Sequence, residues 1–438
     1  MVGFPSDNEI RTLIDEKIGS DSDVGLVVGL IEPHGQRVIA HGYADNEKMH
    51  AIDGGTIFEL GSVTKVFTAL LLADMVKRGE VKLDDPVSKY VPKGEIFPGQ
   101  SGHPIPLVDL ATSSSGATWN LPELSTPHVT LPPAGKDSSR LGPDAFGEPS
   151  LAAYANHQVA DVGFGILAYA LSKRKKSNFQ QLLGTVILRP LALDDTGVGH
   201  RSTVVAGRLA QGHDATMHPV LASTQLNVFV GSEGLKSSAN DLLKFLAAVL
   251  EQKFTRFAFS VRESLSVRRA TRNADTLAAM GWIIQQRDGR ELVWRGGDQG
   301  GFSTWIGFDA ASKRAAVVLA NTEGDLARYL GFQLFDLPEF LRQSHPHISV
   351  PGDRLDSFAG RYKLLDGQIV TIVRENDHLT LNLDPFGPAP ALPVGDRAFS
   401  TPAQSLQFTF DFESEKQERP KRVVFYQNDT IEVAERIE

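Results

Sequence analysis

The 438-residue chain contains no cysteine. This absence excludes disulfide bonds, cysteine-ligated zinc, iron–sulfur clusters and a thiol nucleophile. Long apolar runs are also missing, and a run such as 245–250 is far too short to span a bilayer. The first residues show no basic region followed by an apolar core, so we expect no signal peptide and a cytoplasmic location.

Positive charge is in the minority and forms no long basic block. Lysine and arginine number 44 against 53 aspartates and glutamates, which gives a net charge of −9. Nucleic acids and anionic membranes attract clustered positive charge, so we expect neither as a partner. The hydrophobic fraction of 41% is typical of a soluble globular protein. The length predicts two domains, or one large domain with an appendage.

Helical and strand periodicities both occur before residue 340. The helical pattern predicts helices over 7–18, 62–78, 162–171, 179–188 and 240–250. Apolar and β-branched runs predict strands over 24–31, 36–42, 291–294, 302–308 and 315–320. The last three strands indicate an antiparallel sheet. Residues 113–150 are rich in serine, proline and glycine, which predicts a long irregular loop.

A purely β pattern follows a proline-containing linker near residues 343–352. Short strands are predicted over 368–373, 378–383, 407–412, 422–426 and 431–437. Several short strands with turns between them favour a small barrel or sandwich. We therefore predict a larger domain over 1–345 and a second, smaller and β-rich domain over 353–438.

The strongest chemical motif is S-x-x-K, formed by Ser62 and Lys65 at the start of a predicted helix. Residues three apart share one helical face, so the ammonium can lie beside the hydroxyl. A serine hydroxyl is a weak nucleophile and needs a nearby base. Desolvation lowers the pKa of a lysine, which lets a buried lysine take that role. The helix N-terminus also stabilises developing negative charge.

The spacing alone is a weak signal, because a chain of this composition contains about two such pairs by chance. Ser172 and Lys175 form the second one, which is most simply a solvated helix end. Ser62 differs in its context, since the helix that follows it is apolar enough to lie in a core. The alternative for Ser62 is an ordinary helix-capping serine.

The stretch 58–92, which begins FELGSVTKVF, resembles the nucleophile region of the serine β-lactamase-like family. That family includes class C β-lactamases, family VIII carboxylesterases, D-aminopeptidases and DD-peptidases. Further resemblances follow in the family's order over 24–43, 105–116, 162–172, 188–199, 234–246 and 296–309. The stretch 358–364 and the strands after it resemble the lipocalin-like barrel of some members.

The resemblance implies a fold and a nucleophile. The implied fold class is α/β (α+β): a β-lactamase/transpeptidase-like antiparallel sheet flanked by helices, with a helical insertion between about 62 and 225, plus a small C-terminal all-β barrel. Ser62 is then the nucleophile, and Lys65 assists it. The family's oxyanion hole uses two backbone N–H groups, which fall on Ser62 and Asp298 here.

The family's second motif, Y-x-N, has two competing placements. Tyr154 and Asn156 match it literally, and we favour them as the proton-shuttling tyrosine and a substrate-binding residue. An alignment without gaps, anchored on the following Val162-Gly163, instead places Val159 where the tyrosine belongs. The sequence leaves this choice open.

The third motif, typically K-T-G or H-x-G on a strand lining the site, corresponds to Arg295-Gly296-Gly297. We expect these three residues to bind substrate. Arginine keeps the positive charge and can pair with a substrate carboxylate or with the developing oxyanion. The alternative is a strand arginine that makes a surface ion pair.

These residues predict a serine hydrolase that works through an acyl-enzyme on Ser62, without a metal or other cofactor. The altered third motif favours a carboxylesterase for small acyl esters, so the expected partner is a small-molecule ester or amide. β-Lactamase, D-aminopeptidase, amidase and acyltransferase activities remain alternatives because they share the acyl-enzyme. A non-catalytic homologue that binds a ligand or a partner is the alternative of another class. Covalent labelling of Ser62 by a fluorophosphonate or a penicillin separates the enzyme from the binding protein.

Overall fold

The computed structural model describes the residue ranges given below, and the contacts divide the chain into two compact units, Met1–Phe335 and Asp336–Glu438. The described residues are 3–18, 24–45, 50–91, 104–113, 159–199, 207–214, 217–220, 230–251, 255–271, 275–287, 289–335, 350–364, 367–375, 378–383, 387–395, 397–401, 406–412, 419–427 and 430–437.

The described helices of the first unit surround its strands. They are α1 (Asp7–Ile18), α2 (Thr64–Lys77), α3 (Leu107–Ala111), α4 (Val159–Lys175), α5 (Phe179–Leu183), α6 (Val230–Glu233), α7 (Ala239–Glu251), α8 (Thr255–Ser266) and α9 (Leu326–Leu334). Two 3-10 turns, Gly61–Val63 and Val87–Lys89, and a π-helical turn, Gly184–Leu188, complete them. The predicted helix 179–188 is therefore α-helical only over its first half.

The strands of this unit are β1 (Leu26–Glu32), β2 (Gly35–His41), β3 (Ile57–Glu59), β4 (Gly197–Val198), β5 (Gly212–His213), β6 (Pro219–Val220), β7 (Leu235–Ser238), β8 (Arg269–Ala270), β9 (Thr276–Ala278), β10 (Ile283–Arg287), β11 (Arg290–Gln299), β12 (Phe302–Asp309) and β13 (Arg314–Ala320). Within the described residues, the main sheet has the order β2-β1-β13-β12-β11-β10-β9-β8. The neighbouring strands are antiparallel. A smaller sheet has the order β3-β7-β4.

The main sheet is covered on both faces. On one face Ile306 of β12 belongs to the same apolar core as Phe67 of α2 and Phe245 of α7, whose rings stack 4.7 Å apart. On the other face Trp305 contacts Phe332 of α9, with ring centroids 5.9 Å apart. Helix α2 is apolar around its circumference, as expected for a helix inside a core.

The second unit consists of α10 (Gly352–Phe358) and an antiparallel barrel. Its strands are β14 (Gly360–Leu364), β15 (Ile369–Glu375), β16 (His378–Leu383), β17 (Gly387–Gly395), β18 (Ala398–Thr401), β19 (Leu406–Asp411), β20 (Arg422–Gln427) and β21 (Thr430–Arg436). The described strands close on themselves because β14 pairs with both β15 and β21. Phe358, Phe399 and Phe410 lie in the interior.

The predicted fold class is confirmed: an antiparallel sheet flanked by helices, followed by a unit built on a β-barrel, in which the helix α10 is an element that the purely β pattern did not predict. The helices α2 to α5 lie between β3 and β7, where the helical insertion was predicted. The predicted loop 113–150 lies almost entirely outside the described residues, as does most of the predicted linker 343–352. Among the described helices, none has the length and apolar character needed to cross a membrane.

Candidate active site

Ser62 lies in the 3-10 turn Gly61–Val63, which runs directly into α2. The capping residues of these two helical segments are Leu60 and Val63, and neither makes a side-chain capping bond. Ser62 is half-buried. It therefore is not the helix-capping serine of the alternative interpretation, and its hydroxyl has no capping role in the fold.

Lys65 occupies the first turn of α2 and is only 2% exposed. Its Nζ lies 5.8 Å from the centre of the Phe164 ring of α4. The second S-x-x-K pair is different: Lys175 is 29% exposed and its Nζ makes an ion pair with Glu80 at 2.8 Å. The two pairs that look alike in sequence thus lie in opposite environments, one in the core and one at a helix end.

The backbone around Ser62 packs directly against β11. Gly61 has a φ of +51°, and a methyl group added there would lie 3.1 Å from the Asp298 nitrogen. A methyl group added at Gly297 would lie 2.8 Å from the Ser62 nitrogen. The two backbone nitrogens predicted to form an oxyanion hole therefore belong to two segments in van der Waals contact. Glycine at both positions is what permits this approach.

A set of hydrogen bonds fixes the turn that carries Ser62. The Leu60 N–H donates to the Leu235 carbonyl at 2.9 Å. The Leu235 N–H in turn donates to Thr64 Oγ1 at 3.1 Å, so β7 is bonded on both sides of the nucleophile turn. The Thr304 hydroxyl donates to the Leu60 carbonyl at 2.9 Å from the side of β12. The position of Ser62 is thus set by contacts from two sheets.

A buried ion pair lies just before the turn. Glu59 of β3 and Lys236 of β7 stand opposite each other in the register, and their side chains are 5% and 3% exposed. The Lys236 ammonium donates to the Glu59 carboxylate. Burial lowers the pKa of Lys236, although the Glu59 carboxylate opposes that shift. Sequence reasoning missed this pair, because only the β3–β7 pairing reveals that the two charges meet.

Arg295 lies in β11 opposite Ile306 and is 7% exposed. It is therefore buried, and the alternative of a surface arginine is wrong. Side chains alternate along a strand, so Arg295 shares a sheet face with Gly297, the residue that touches the nucleophile turn. Gly296 lies between them. The third-motif residues thus lie on the strand that packs against the Ser62 turn.

The Asp298 side chain points to the opposite face from Gly297, because it is the next residue of the strand. Its carboxylate accepts a hydrogen bond from the Gly324 N–H at 3.3 Å. The residue as a whole is exposed, but protein atoms surround its carboxyl group and remove it from water. This desolvation, followed by the nearby Glu323 carboxylate, raises the pKa of Asp298 to about 7. Its backbone nitrogen, by contrast, lies beside Gly61, the residue before Ser62.

Asp298→Asn is expected to change how stability depends on pH. The folded state keeps the Asp298 proton up to about pH 7, whereas the ordinary pKa is 3.8, so the parent loses stability as the pH rises through that interval. Asparagine cannot ionise, so the melting temperature of the variant should rise relative to that of the parent from pH 5 to 8. Among the facing charges, Glu323 and Asp325 reinforce the effect and Arg328 opposes it. Melting temperatures of parent and variant that keep the same difference over this pH range would contradict it.

Gly297→Ala is expected to lower kcat by about a hundredfold or more. The added methyl would lie 2.2 Å from the Leu60 carbonyl oxygen and 2.8 Å from the Ser62 nitrogen, so backbone must move. Displacing a reacting group by about 1 Å costs on the order of a hundredfold in rate. Steady-state kinetics checks this. Gly296→Ala is the control that adds a methyl group to the neighbouring residue. Its methyl would be no closer than 3.5 Å to another atom, so the melting temperature should stay that of the parent. Unchanged kcat in Gly297→Ala would contradict the close approach.

Tyr154 and Asn156 lie outside the described residues. Val159 lies at the start of α4, and its side chain is also outside what the structure describes. The two placements of the second motif therefore both stay predictions. In the described part of the chain, no group of three or more histidine, aspartate or glutamate side chains converges as metal ligands.

A half-buried serine at the start of a core helix, a buried lysine three residues on, and a strand packed against the turn of the serine are the arrangement that the sequence predicts for a serine hydrolase. The Beta-lactamase family profile matches residues 10–334. The chain therefore belongs to the Beta-lactamase family and is a hydrolase, which confirms the predicted family and enzyme class.

Known proteins resemble the chain in sequence and in fold. The D-alanyl-D-alanine-carboxypeptidase/endopeptidase AmpH of Escherichia coli strain K12 is 27% identical over 297 residues, which are 63% of this chain and 73% of that protein. Two solved structures share the fold. A class C β-lactamase from Rhodobacter sphaeroides matches 77% of this chain and 99% of its own, with 23% identity and a TM-score of 0.57. An octameric penicillin-binding protein homologue from Pyrococcus abyssi matches 99% of both chains, with 20% identity and a TM-score of 0.62.

Proposed function

We propose that this protein is a carboxylesterase that hydrolyses small acyl esters through an acyl-enzyme on Ser62. The observation that carries the proposal is the packing of the Ser62 turn against Gly297 and Asp298, with Lys65 buried in the next turn of helix. This packing supports a site in which the Ser62 hydroxyl, the Lys65 amine and two backbone donors act together. Those are the parts that acyl transfer requires.

The proposed reaction has two halves. In the first, Ser62 Oγ attacks the ester carbonyl while the Lys65 side chain takes the hydroxyl proton. The tetrahedral oxyanion is stabilised by the Ser62 and Asp298 N–H groups, and the alcohol leaves with the proton. In the second half, water loses a proton to Lys65 and attacks the acyl-enzyme. The carboxylic acid leaves, and Lys65 returns the proton to Ser62 Oγ. We propose that Tyr154 relays these protons and that Asn156 contacts the substrate.

The choice of an ester over other acyl donors rests on the third motif. The family's lysine or histidine is replaced here by a buried arginine, and two glycines follow it. A guanidinium cannot give up its proton, so Arg295 binds charge and does not transfer protons. An activated ester needs less proton delivery to its leaving group than an amide does, because an alkoxide leaves more readily than an amine anion.

A second candidate function has its own support. The relative AmpH is named a D-alanyl-D-alanine-carboxypeptidase/endopeptidase, and 73% of its length aligns with this chain. A peptide ending in D-alanine carries a carboxylate, which an arginine fork can bind with two hydrogen bonds. Arg295 would then select the substrate through its C-terminal carboxylate. A β-lactam carries a similarly placed carboxylate and belongs to the same candidate.

A substrate panel with intact-mass detection tests the proposal. The parent, Ser62→Ala and Ser172→Ala would be assayed on p-nitrophenyl acetate, butyrate and octanoate, on nitrocefin, and on a peptide ending in D-alanyl-D-alanine. We expect the highest kcat/KM on the short esters, together with an acyl adduct that maps to Ser62. Ser172→Ala should behave as the parent.

The other outcomes are also decisive. Faster hydrolysis of nitrocefin or faster release of D-alanine would replace the esterase by the second candidate. No turnover and no adduct with any acyl donor or with a fluorophosphonate would favour a non-catalytic binding protein. An adduct at a residue other than Ser62 would overturn the assigned nucleophile.

A further inference from the structure

Thr304 lies between the two backbone segments of the candidate oxyanion hole. It is in β12, opposite Gly297 of β11, and is 2% exposed. Its hydroxyl donates to the Leu60 carbonyl at 2.9 Å and lies 3.3 Å from the Gly297 carbonyl, in donating geometry to both. A single side chain thus bridges the turn that precedes Ser62 and the strand that supplies the second donor.

The two acceptors are chemically significant. The Gly297 carbonyl belongs to the same peptide group as the Asp298 N–H, because that peptide joins residues 297 and 298. A peptide group is planar, so a bond that fixes its carbonyl also fixes the direction of its N–H. Hydrogen bonds in series also polarise one another, so a donor on the carbonyl makes the N–H on the other side a better donor.

The Leu60 carbonyl places the other segment. It accepts both from Thr304 and from the Val63 N–H, the latter at 3.2 Å across the 3-10 turn that contains Ser62. The distance between the Ser62 and Asp298 nitrogens therefore depends on a hydroxyl that shares its one proton between the two carbonyls, the Leu60 carbonyl being the nearer. Gly297 leaves the room for it, since a methyl group at that position would lie 2.8 Å from Thr304 Oγ1.

We propose that Thr304 is a positioning residue of the oxyanion hole, which sets the orientation of the Asp298 N–H and its separation from the Ser62 N–H through one bridging hydroxyl. The proposal rests on the proposed function. Thr304 does not touch the substrate. It acts in the transition state, where the oxyanion needs both donors, more than on substrate binding.

Thr304→Val tests this, because valine keeps the shape and removes the hydroxyl. We expect kcat on the preferred ester to fall by about tenfold to a hundredfold with KM changed less than about threefold, below the loss expected for deleting a donor outright. Thr304→Ser restores the hydroxyl and should recover activity to within about threefold. Thr304→Ala is a second variant without a hydroxyl, and it adds no bulk if valine disturbs folding.

Thr68→Val is the matched control. Thr68 is also fully buried, and its hydroxyl donates to a backbone carbonyl, that of Gly231, at 2.6 Å. The same chemical change is therefore made at the same degree of burial, in α2, where the hydroxyl bonds to neither Leu60 nor Gly297. We expect Thr68→Val to lower the melting temperature about as much as Thr304→Val does while keeping kcat within about threefold of the parent.

The affinity for a boronic acid that forms a tetrahedral adduct with Ser62 is a second measurement. It would not change if Thr304 had a purely structural role. This affinity should fall in Thr304→Val by the same factor as kcat/KM, and Thr304→Ser should restore it. If Thr304→Val keeps the parent's kcat and boronate affinity, or if Thr68→Val loses as much, the positioning role is overturned although Ser62-dependent turnover stands. If the parent shows no Ser62-dependent turnover, the proposed function and this inference both fail.

Discussion

Replacing Ser62 by alanine is expected to lower kcat/KM on the preferred ester by at least about ten-thousandfold while leaving the fold intact. Removing the nucleophile of a serine hydrolase costs on the order of a millionfold in kcat, and the remaining rate comes from the oxyanion hole and substrate binding. Ser62 is half-buried and caps neither helical segment, so the missing hydroxyl leaves no capping bond unmade. The melting temperature should therefore stay close to that of the parent.

The chain supplies its own control for this experiment. Ser172 begins the second S-x-x-K pair and is itself buried, but its Lys175 is bound to Glu80. Ser172→Ala makes the same change in the same tetrapeptide pattern and should leave turnover unaltered. Steady-state kinetics and thermal melting of both variants give the comparison. Ester turnover that survives in Ser62→Ala to within about tenfold of the parent would remove Ser62 as the nucleophile.

The two S-x-x-K pairs show which features of the site can be predicted from the sequence. Spacing cannot separate them, and composition alone indicates only that the helix after Ser62 is the more apolar one. The burial of Lys65 follows from that pattern, because a helix that is apolar on all sides must lie inside a core. The ion pair that occupies Lys175 does not follow, since Glu80 is 95 residues away along the chain.

Residues that act through another backbone segment are the ones that sequence reasoning misses. Thr304 contacts Leu60 across 244 positions, and Lys236 contacts Glu59 across 177. Each is an ordinary strand residue until the pairing of its strand is known. The family resemblance supplies residues with a motif of their own, such as Ser62, but it does not supply partners that reach the motif from a distant strand.

The barrel shows a different failure, which arises from proline. Strand β17 contains Pro388, Pro390 and Pro393, and it was absent from the predicted strands. A proline has no N–H for the ladder and argues against a central strand, yet β17 pairs with strands on both sides. The pairing irregularity between Pro393 and Gly395 shows one place where the ladder adjusts. Closure of the barrel outweighs the local preference.

Lys65→Met is expected to reduce kcat/KM nearly as much as Ser62→Ala does. Methionine has a similar length and is apolar, so it suits a position that is 2% exposed in an apolar helix. The fold should therefore be kept, and thermal melting of the variant beside the parent checks this. Without the amine, nothing at this position can take the Ser62 proton, and the hydroxyl remains a weak nucleophile.

The double variant Ser62→Ala/Lys65→Met discriminates a catalytic pair from two independent residues. Groups that act as one unit are strongly non-additive, so the double variant should be little worse than either single one. Lys175→Met is the matched control, because it removes the lysine of the other S-x-x-K pair and should cost only the partly exposed ion pair with Glu80. Losses that multiply between Ser62 and Lys65 would show that the lysine contributes separately from the nucleophile. Turnover in Lys65→Met close to that of Lys175→Met would show that another group activates Ser62.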